Sequence, residues 1–167
     1  MFKGAAVVMG VTSCGKTTLG EALAKALHVK FVEGDKLHPA SNIAKMSSGQ
    51  PLNDDDRWPW LAKVGEALQD SQGIIASCSS LKRAYRDLIT AKAGRPVMFI
   101  HLHGSRRLLA ERIAARKGHF MPPTLLDSQL ATLELPGTGE NFITIEIAAP
   151  LDVQVAQAST ALLNWKT

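Results

Sequence analysis

Gly10-Val11-Thr12-Ser13-Cys14-Gly15-Lys16-Thr17 matches G-x-x-x-x-G-K-[ST] and constrains this chain more than any other feature. An apolar run of strand length, Ala5 to Met9, leads into it. A helical pattern follows, with apolar residues at Leu19, Ala22, Leu23, Ala26 and Leu27. Strand, glycine-rich loop and helix in that order form a cradle for phosphate. The glycines let backbone N–H groups close around the anion, Lys16 reaches the β- and γ-phosphates, and the Thr17 hydroxyl suits Mg²⁺. The helix adds the positive end of its dipole. Gly10, Val11, Thr12, Ser13, Cys14, Gly15, Lys16, Thr17 and Thr18 are therefore candidate nucleotide-binding residues. A glycine-rich turn with a solvated lysine is the competing reading, and the flanking strand and helix argue against it. Ser13 stands where many such loops carry Gly, so a positive φ there would be strained. Cys14 would lie beside the phosphates, where positive surroundings lower a thiol pKa; this predicts an alkylation-sensitive thiol that ATP protects.

The remaining pattern alternates. Lys30 to Glu33, Gly73 to Ser77, Pro96 to Leu102 and Phe142 to Ile147 read as strands. Pro39 to Met46, Trp58 to Gln69, Leu81 to Ala93, Ser105 to Arg116, Leu125 to Leu135 and Leu151 to Trp165 read as helices. Ser105 is a plausible N-cap, and Thr124 with Asp127 resembles a capping box. Such alternation predicts an α/β fold with a mainly parallel sheet covered on both faces and ligands outside the carboxyl ends of the strands. A length of 167 residues fits one domain, 1–167.

Composition removes several classes. Two cysteines far apart, Cys14 and Cys78, argue against a disulfide framework or a zinc site and for a reducing compartment. No stretch approaches the roughly 20 apolar residues of a membrane helix, and no secretory pattern is visible, so a cytoplasmic location is expected. The net charge of +4 comes from scattered Lys and Arg, with small clusters at 82–86 and 112–117. Nucleic-acid binding would want them on one face with aromatics interleaved, so a small anionic substrate and ATP explain the charge more economically. A GTPase would need an Asn-Lys-x-Asp loop, which is absent, and Asp70-Ser71-Gln72-Gly73 precedes the third strand instead of following it.

Further motifs occur in order: Glu33-Gly34-Asp35-Lys36-Leu37-His38-Pro39, Asn42 to Met46, Pro51-Leu52-Asn53-Asp54-Asp55-Asp56-Arg57-Trp58-Pro59-Trp60-Leu61, Cys78 to Asp87, Arg116 to Pro123, and Leu126-Asp127-Ser128-Gln129. Together with the phosphate loop they closely resemble the gluconate kinase (gluconokinase) family, of the small shikimate-kinase-like type, from about Val8 to Pro136 and more weakly beyond. The resemblance implies a P-loop NTPase fold with a five-stranded parallel sheet flanked by helices, as in nucleoside-monophosphate kinases. It also implies a substrate segment at about 36–60 and a mobile lid at about 117–136. The implied activity is ATP- and Mg²⁺-dependent phosphorylation of D-gluconate, and the implied assembly a homodimer. Neither nucleic acid nor membrane is an expected partner. Asp35 becomes the candidate to accept the acceptor's hydroxyl proton or to position Mg²⁺ with Thr17, and Lys16 and Arg116 the candidates for charge neutralisation. Arg112 is assigned to adenine or phosphate, and Pro150 to the adenine pocket. For the acceptor, Arg57 leads as carboxylate partner, with Lys82, Arg83 and Arg86 nearby; His38 and His119 are candidate donors to hydroxyls or phosphate. An ion pair of Arg57 with Asp54 or Asp55 is the structural alternative, and Trp58, Trp60 and Trp165 are expected to pack. The rival readings are a shikimate or other sugar-acid kinase and a nucleotide-binding module without turnover.

Overall fold

The computed structural model describes residues 1–70, 72–116 and 123–166. Five strands form one parallel sheet in the order β2-β3-β1-β4-β5: β1 (Ala5–Met9), β2 (Lys30–Glu33), β3 (Ile74–Ser77), β4 (Val97–His103) and β5 (Phe142–Glu146). Because side chains alternate across a strand, β1 feeds two cores. Ala6 and Val8 join Ile75, Met98 and Ile100 on one face, while Ala5, Val7 and Met9 join Ile74, Ala76, Val97 and Phe99 on the other. Helices α1 (Lys16–Leu27), α5 (Arg106–Ala115), α6 (Pro123–Thr132) and α7 (Leu151–Asn164) contribute buried residues to the first face. Helices α3 (Asp54–Ala67) and α4 (Arg83–Ala93) cover the second with Trp60, Leu61, Val64, Tyr85 and Ile89. The short helix α2 (Ala40–Ser47) lies between β2 and α3 in sequence, preceded by a 3-10 turn over Gly34–Leu37. Trp60 and Trp58 pack as expected, Trp60 in the core and Trp58 against it, and Trp165 lies against the other core.

The sheet order carries the functional consequence. From β1 the chain runs to β2 on one side, and later from β3 back across to β4 on the other. The loops after β1, β2 and β3 therefore open into one crevice at the carboxyl edge, where a doubly wound sheet binds its ligands.

Helix starts depart by two or more residues from the sequence reading at three places, each with a local setting. Helix α3 starts at Asp54 instead of Trp58, because Asn53 accepts from the Asp56 N–H at 2.8 Å while Asp56 Oδ2 accepts from the Asn53 N–H at 2.9 Å. That reciprocal cap and three acidic residues in the first turn make a loop-like run a good helix start. Helix α4 starts at Arg83, after Ser80 takes a left-handed φ of 49°. Thr124 falls inside α6 instead of capping it, and Asp127 is engaged by Arg106 at 2.6 Å. Ser105 does cap α5, accepting from the Leu108 N–H at 3.1 Å.

Candidate active site

The loop after β1 carries three left-handed residues, Gly10 (φ 148°), Ser13 (φ 62°) and Gly15 (φ 97°). At Ser13 the strain anticipated from the sequence is present, and its hydroxyl accepts a hydrogen bond from Arg116 Nη1 at 3.1 Å. Lys16 folds over the loop and donates to the Val11 carbonyl at 3.0 Å. The Thr12 N–H donates to Gln129 Oε1 of α6 at 2.6 Å. The segments that flank residues 117–122 on either side are thus both tied to the phosphate loop, by Arg116 and by Gln129.

Cys14 corrects the expectation of a reactive thiol. Its side chain is 1% exposed, and burial raises its pKa despite the opposing pull of Lys16 and Arg112. Cys78 is likewise buried, with its pKa pushed up to about 11 by desolvation.

At the end of β2, Glu33 joins three strands' worth of loops. Its Oε2 accepts from the Thr17 hydroxyl at 2.5 Å and its Oε1 from the Ser77 hydroxyl at 2.5 Å. Asp35, two residues on, is exposed in the 3-10 turn. Sequence reasoning gave Glu33 no role, although it heads the same motif. Its only sequence signal is its position as the last residue of a strand that ends at the crevice. Thr17, Glu33 and Asp35 offer hard oxygen donors of the kind Mg²⁺ takes.

A second cluster forms where α3 meets α4. The Asp54 carboxylate accepts from Lys82 Nζ at 3.3 Å, from Arg57 Nη1 at 3.4 Å and, more closely, from the Tyr85 hydroxyl. Arg57 also reaches the Tyr85 oxygen at 3.3 Å. The Tyr85 hydroxyl first, then Lys82 and Arg57, hold Asp54 below the usual carboxylate range. Two cations against one carboxylate leave one net positive charge. The anticipated Arg57–Asp54 pair therefore exists within a cluster that carries one more cation than carboxylate. Tyr85 went unassigned from the sequence, since nothing local links it to Arg57, and Asp54 was anticipated only as an ion-pair partner three residues away.

Arg83 and Arg86 are not brought into that cluster. Arg83 Nη1 donates to the Thr138 carbonyl at 2.7 Å. Arg86 is buried against Glu140, Nε to Oε1 at 2.6 Å. Arg112 lies by the β5 end, donating to the Ile147 carbonyl at 2.7 Å, close in sequence to Pro150 at the N-cap of α7. Thr18 is exposed in the first turn of α1. His38 stacks on Trp60, ring centroids 4.0 Å apart. His119 and the first part of the anticipated lid, 117–122 of 117–136, lie outside the described residues.

A five-stranded parallel sheet with a glycine-rich phosphate loop after its central strand defines the P-loop kinase class of small α/β proteins. The chain matches the AAA domain family over residues 6–136. It is 48% identical to the gluconokinase of Gluconobacter oxydans strain 621H, covering 83% of this chain and 80% of that one. It is 42% identical to the thermoresistant gluconokinase of Escherichia coli strain K12, covering 96% and 94%. The crystal structure of a gluconokinase from Sinorhizobium meliloti 1021 superposes with a TM-score of 0.89 at 49% identity, covering 97% of this chain and 93% of that one. The chain belongs to the gluconokinase family, within the wider AAA domain family.

Proposed function

We propose that this chain transfers the γ-phosphoryl group of ATP to D-gluconate, giving 6-phosphogluconate and ADP. The observation that carries the acceptor is the Arg57–Lys82–Tyr85–Asp54 cluster, one positive charge in excess, reached from the loop after β3 whose Ser79 carbonyl accepts from the Gly10 N–H of the phosphate loop at 3.3 Å. That excess suits one carboxylate, and a guanidinium with a phenol beside it suits bidentate contact. The similarity to gluconokinases along nearly the whole chain supports the same acceptor.

Phosphoryl transfer depends on positioning and charge neutralisation. Lys16, now on the Val11 carbonyl, swings to the phosphates when they enter the loop, and the loop N–H groups bind their oxygens. Arg116, held by Ser13 at the loop's rim, meets the charge that builds on the transferred group. Asp35 takes the proton of the attacking hydroxyl. Arg57 and Lys82 hold the far end of the substrate by its carboxylate, so that the reacting hydroxyl faces Asp35. Arg112 and Pro150 border the base. Thr17 and Asp35, with Glu33 behind Thr17, would hold Mg²⁺, which supplies charge neutralisation on the phosphates when bound. The lid, with His119, closes over the site and excludes water. We assign the whole chain to one kinase domain and expect a cytoplasmic homodimer without nucleic-acid or membrane partners; sedimentation checks the dimer.

The test is ADP release coupled to NADH oxidation, with ATP, Mg²⁺ and a panel of D-gluconate, shikimate and other aldonates. Turnover on gluconate that is lost in Lys16→Ala is the expected result. Turnover on another acid alone removes the substrate assignment, and ATP binding without acceptor-dependent turnover removes the kinase.

A further inference from the structure

We infer that Asn42 is a positioning residue: it holds the His38 ring with its proton on Nε2 and so presents an N–H donor to a hydroxyl of the bound polyol acid. This rests on the acceptor reading above.

The chemistry follows from two hydrogen bonds. Asn42 is 3% exposed, and its Nδ2 donates to the Asp56 carbonyl at 2.8 Å. A backbone carbonyl can only accept, so this contact decides which end of the amide is nitrogen. The same Nδ2 faces His38 Nδ1 at 3.2 Å. A ring nitrogen facing an N–H must offer its lone pair, so Nδ1 is bare and the neutral ring carries its proton on Nε2. The ring plane is fixed independently. It stacks on Trp60 at 17°, and the Trp60 indole N–H donates to the Gly34 carbonyl at 2.8 Å.

The same contact requires a neutral ring, since an imidazolium would set a second N–H against the Asn42 amide. Burial lowers the His38 pKa; Asp35 in the 3-10 turn opposes this and Arg57 on α3 adds to it. From α2 the ring meets the uncharged Asn42, and the Asp56 carboxylate is taken by Lys45 at 2.5 Å. Nε2 has no hydrogen-bond partner among the described residues. A donor fixed in plane and tautomer, yet unused, thus sits within electrostatic reach of both Asp35 and Arg57. Those are the two ends of the proposed acceptor site, where gluconate's intervening hydroxyls need donors.

Ring ¹⁵N–¹H correlation spectra of the whole protein read the tautomer directly, with His38 assigned by its loss in His38→Gln. We expect the Nε2–H form in the wild type and a shift of the proton to Nδ1 in Asn42→Asp, whose carboxylate can only accept. An Nδ1–H wild-type ring overturns the inference. In the kinetic arm, Asn42→Ala raises the gluconate KM by about tenfold, one hydrogen bond's worth, with the ATP KM unchanged. His38→Gln, whose amide nitrogen falls near the Nε2 position, binds gluconate better than His38→Asn, whose nitrogen falls near Nδ1. An unchanged gluconate KM in Asn42→Ala, or the reverse order of the two His38 variants, overturns the donor role. Absence of gluconate turnover in the wild type overturns the acceptor reading and the donor's partner, while the spectra still decide what Asn42 does to the ring.

Discussion

Glu140→Ala should cost this fold about 3 kcal/mol, the lower end of the roughly 3–5 kcal/mol expected when one partner of a buried ion pair is removed. The Arg86 and Glu140 side chains are 1% and 5% exposed. They meet as a fork, Nε to Oε1 at 2.6 Å and Nη2 to Oε2 at 3.2 Å, and Glu140 also accepts from the Gly137 N–H at 3.0 Å. Truncation removes both charge-assisted bonds and strands a guanidinium in the interior. The cost stays at the lower end because Nη1 keeps the Ser80 and Leu81 carbonyls, at 2.9 and 3.2 Å. For a chain of this size the loss is about 6–12 °C in Tm. Urea melts followed by tryptophan fluorescence should show a lower midpoint at unchanged slope. The exposed pair Arg106–Asp127, 57% and 52% exposed, is the control, and Asp127→Asn should leave the midpoint within error. The pH dependence has a definite sign. Burial alone would raise the Glu140 pKa, but the bonds from Arg86 and Gly137 outweigh it and the net shift is downward. A depressed folded pKa means stability that is present above the unfolded value and lost as pH falls through the folded one. The gap between wild type and Glu140→Ala should therefore hold from neutral pH to about pH 5 and narrow in stronger acid. A midpoint shift no larger than that of Asp127→Asn, or a gap that widens in acid, would refute the reasoning.

Two further outcomes test the site's construction. Native protein should react slowly with iodoacetamide at neutral pH, equally with and without ATP, and both Cys14 and Cys78 should label once urea unfolds it; rapid, ATP-sensitive labelling of Cys14 would show that burial does not control that thiol. Gly34→Ala should destabilise by about 1–3 kcal/mol and lower turnover, because the new Cβ would stand 2.0 Å from the Ser77 carbonyl oxygen, a backbone atom that cannot swing aside. Its unfolding midpoint and gluconate turnover check this, and a wild-type result would mean that β2 and β3 are not held at the described separation.

The two halves of the site were unequally legible in the sequence for a physical reason. A phosphate loop works largely through backbone N–H groups on one continuous segment, so its candidate residues are consecutive, and Gly10 to Thr17 stand out as a motif. A hydroxy acid is bound by side chains, and these converge only after the sheet order is set. Arg57 and Lys82 drew notice as cations near motifs. What joins them in one cluster is Asp54 and the Tyr85 hydroxyl, and Tyr85 sits 31 positions from Asp54 on the facing helix. Glu33 escaped because its partners, Thr17 and Ser77, lie 16 and 44 positions away and meet it only when β3 sits beside β2 and next to β1. Arg83 and Arg86 show the converse. Arg83 and Arg86 stand as close to Lys82 in sequence as a substrate ligand could, yet a helix sends neighbouring residues to different faces. Arg86 turns inward to Glu140 and Arg83 sideways to Thr138, while Lys82 joins Arg57 at Asp54. A charged cluster in sequence is thus a weak guide on a helix, where face decides function. The same cluster on a loop, as at Gly15-Lys16-Thr17, is a strong one, because there the backbone itself is the ligand.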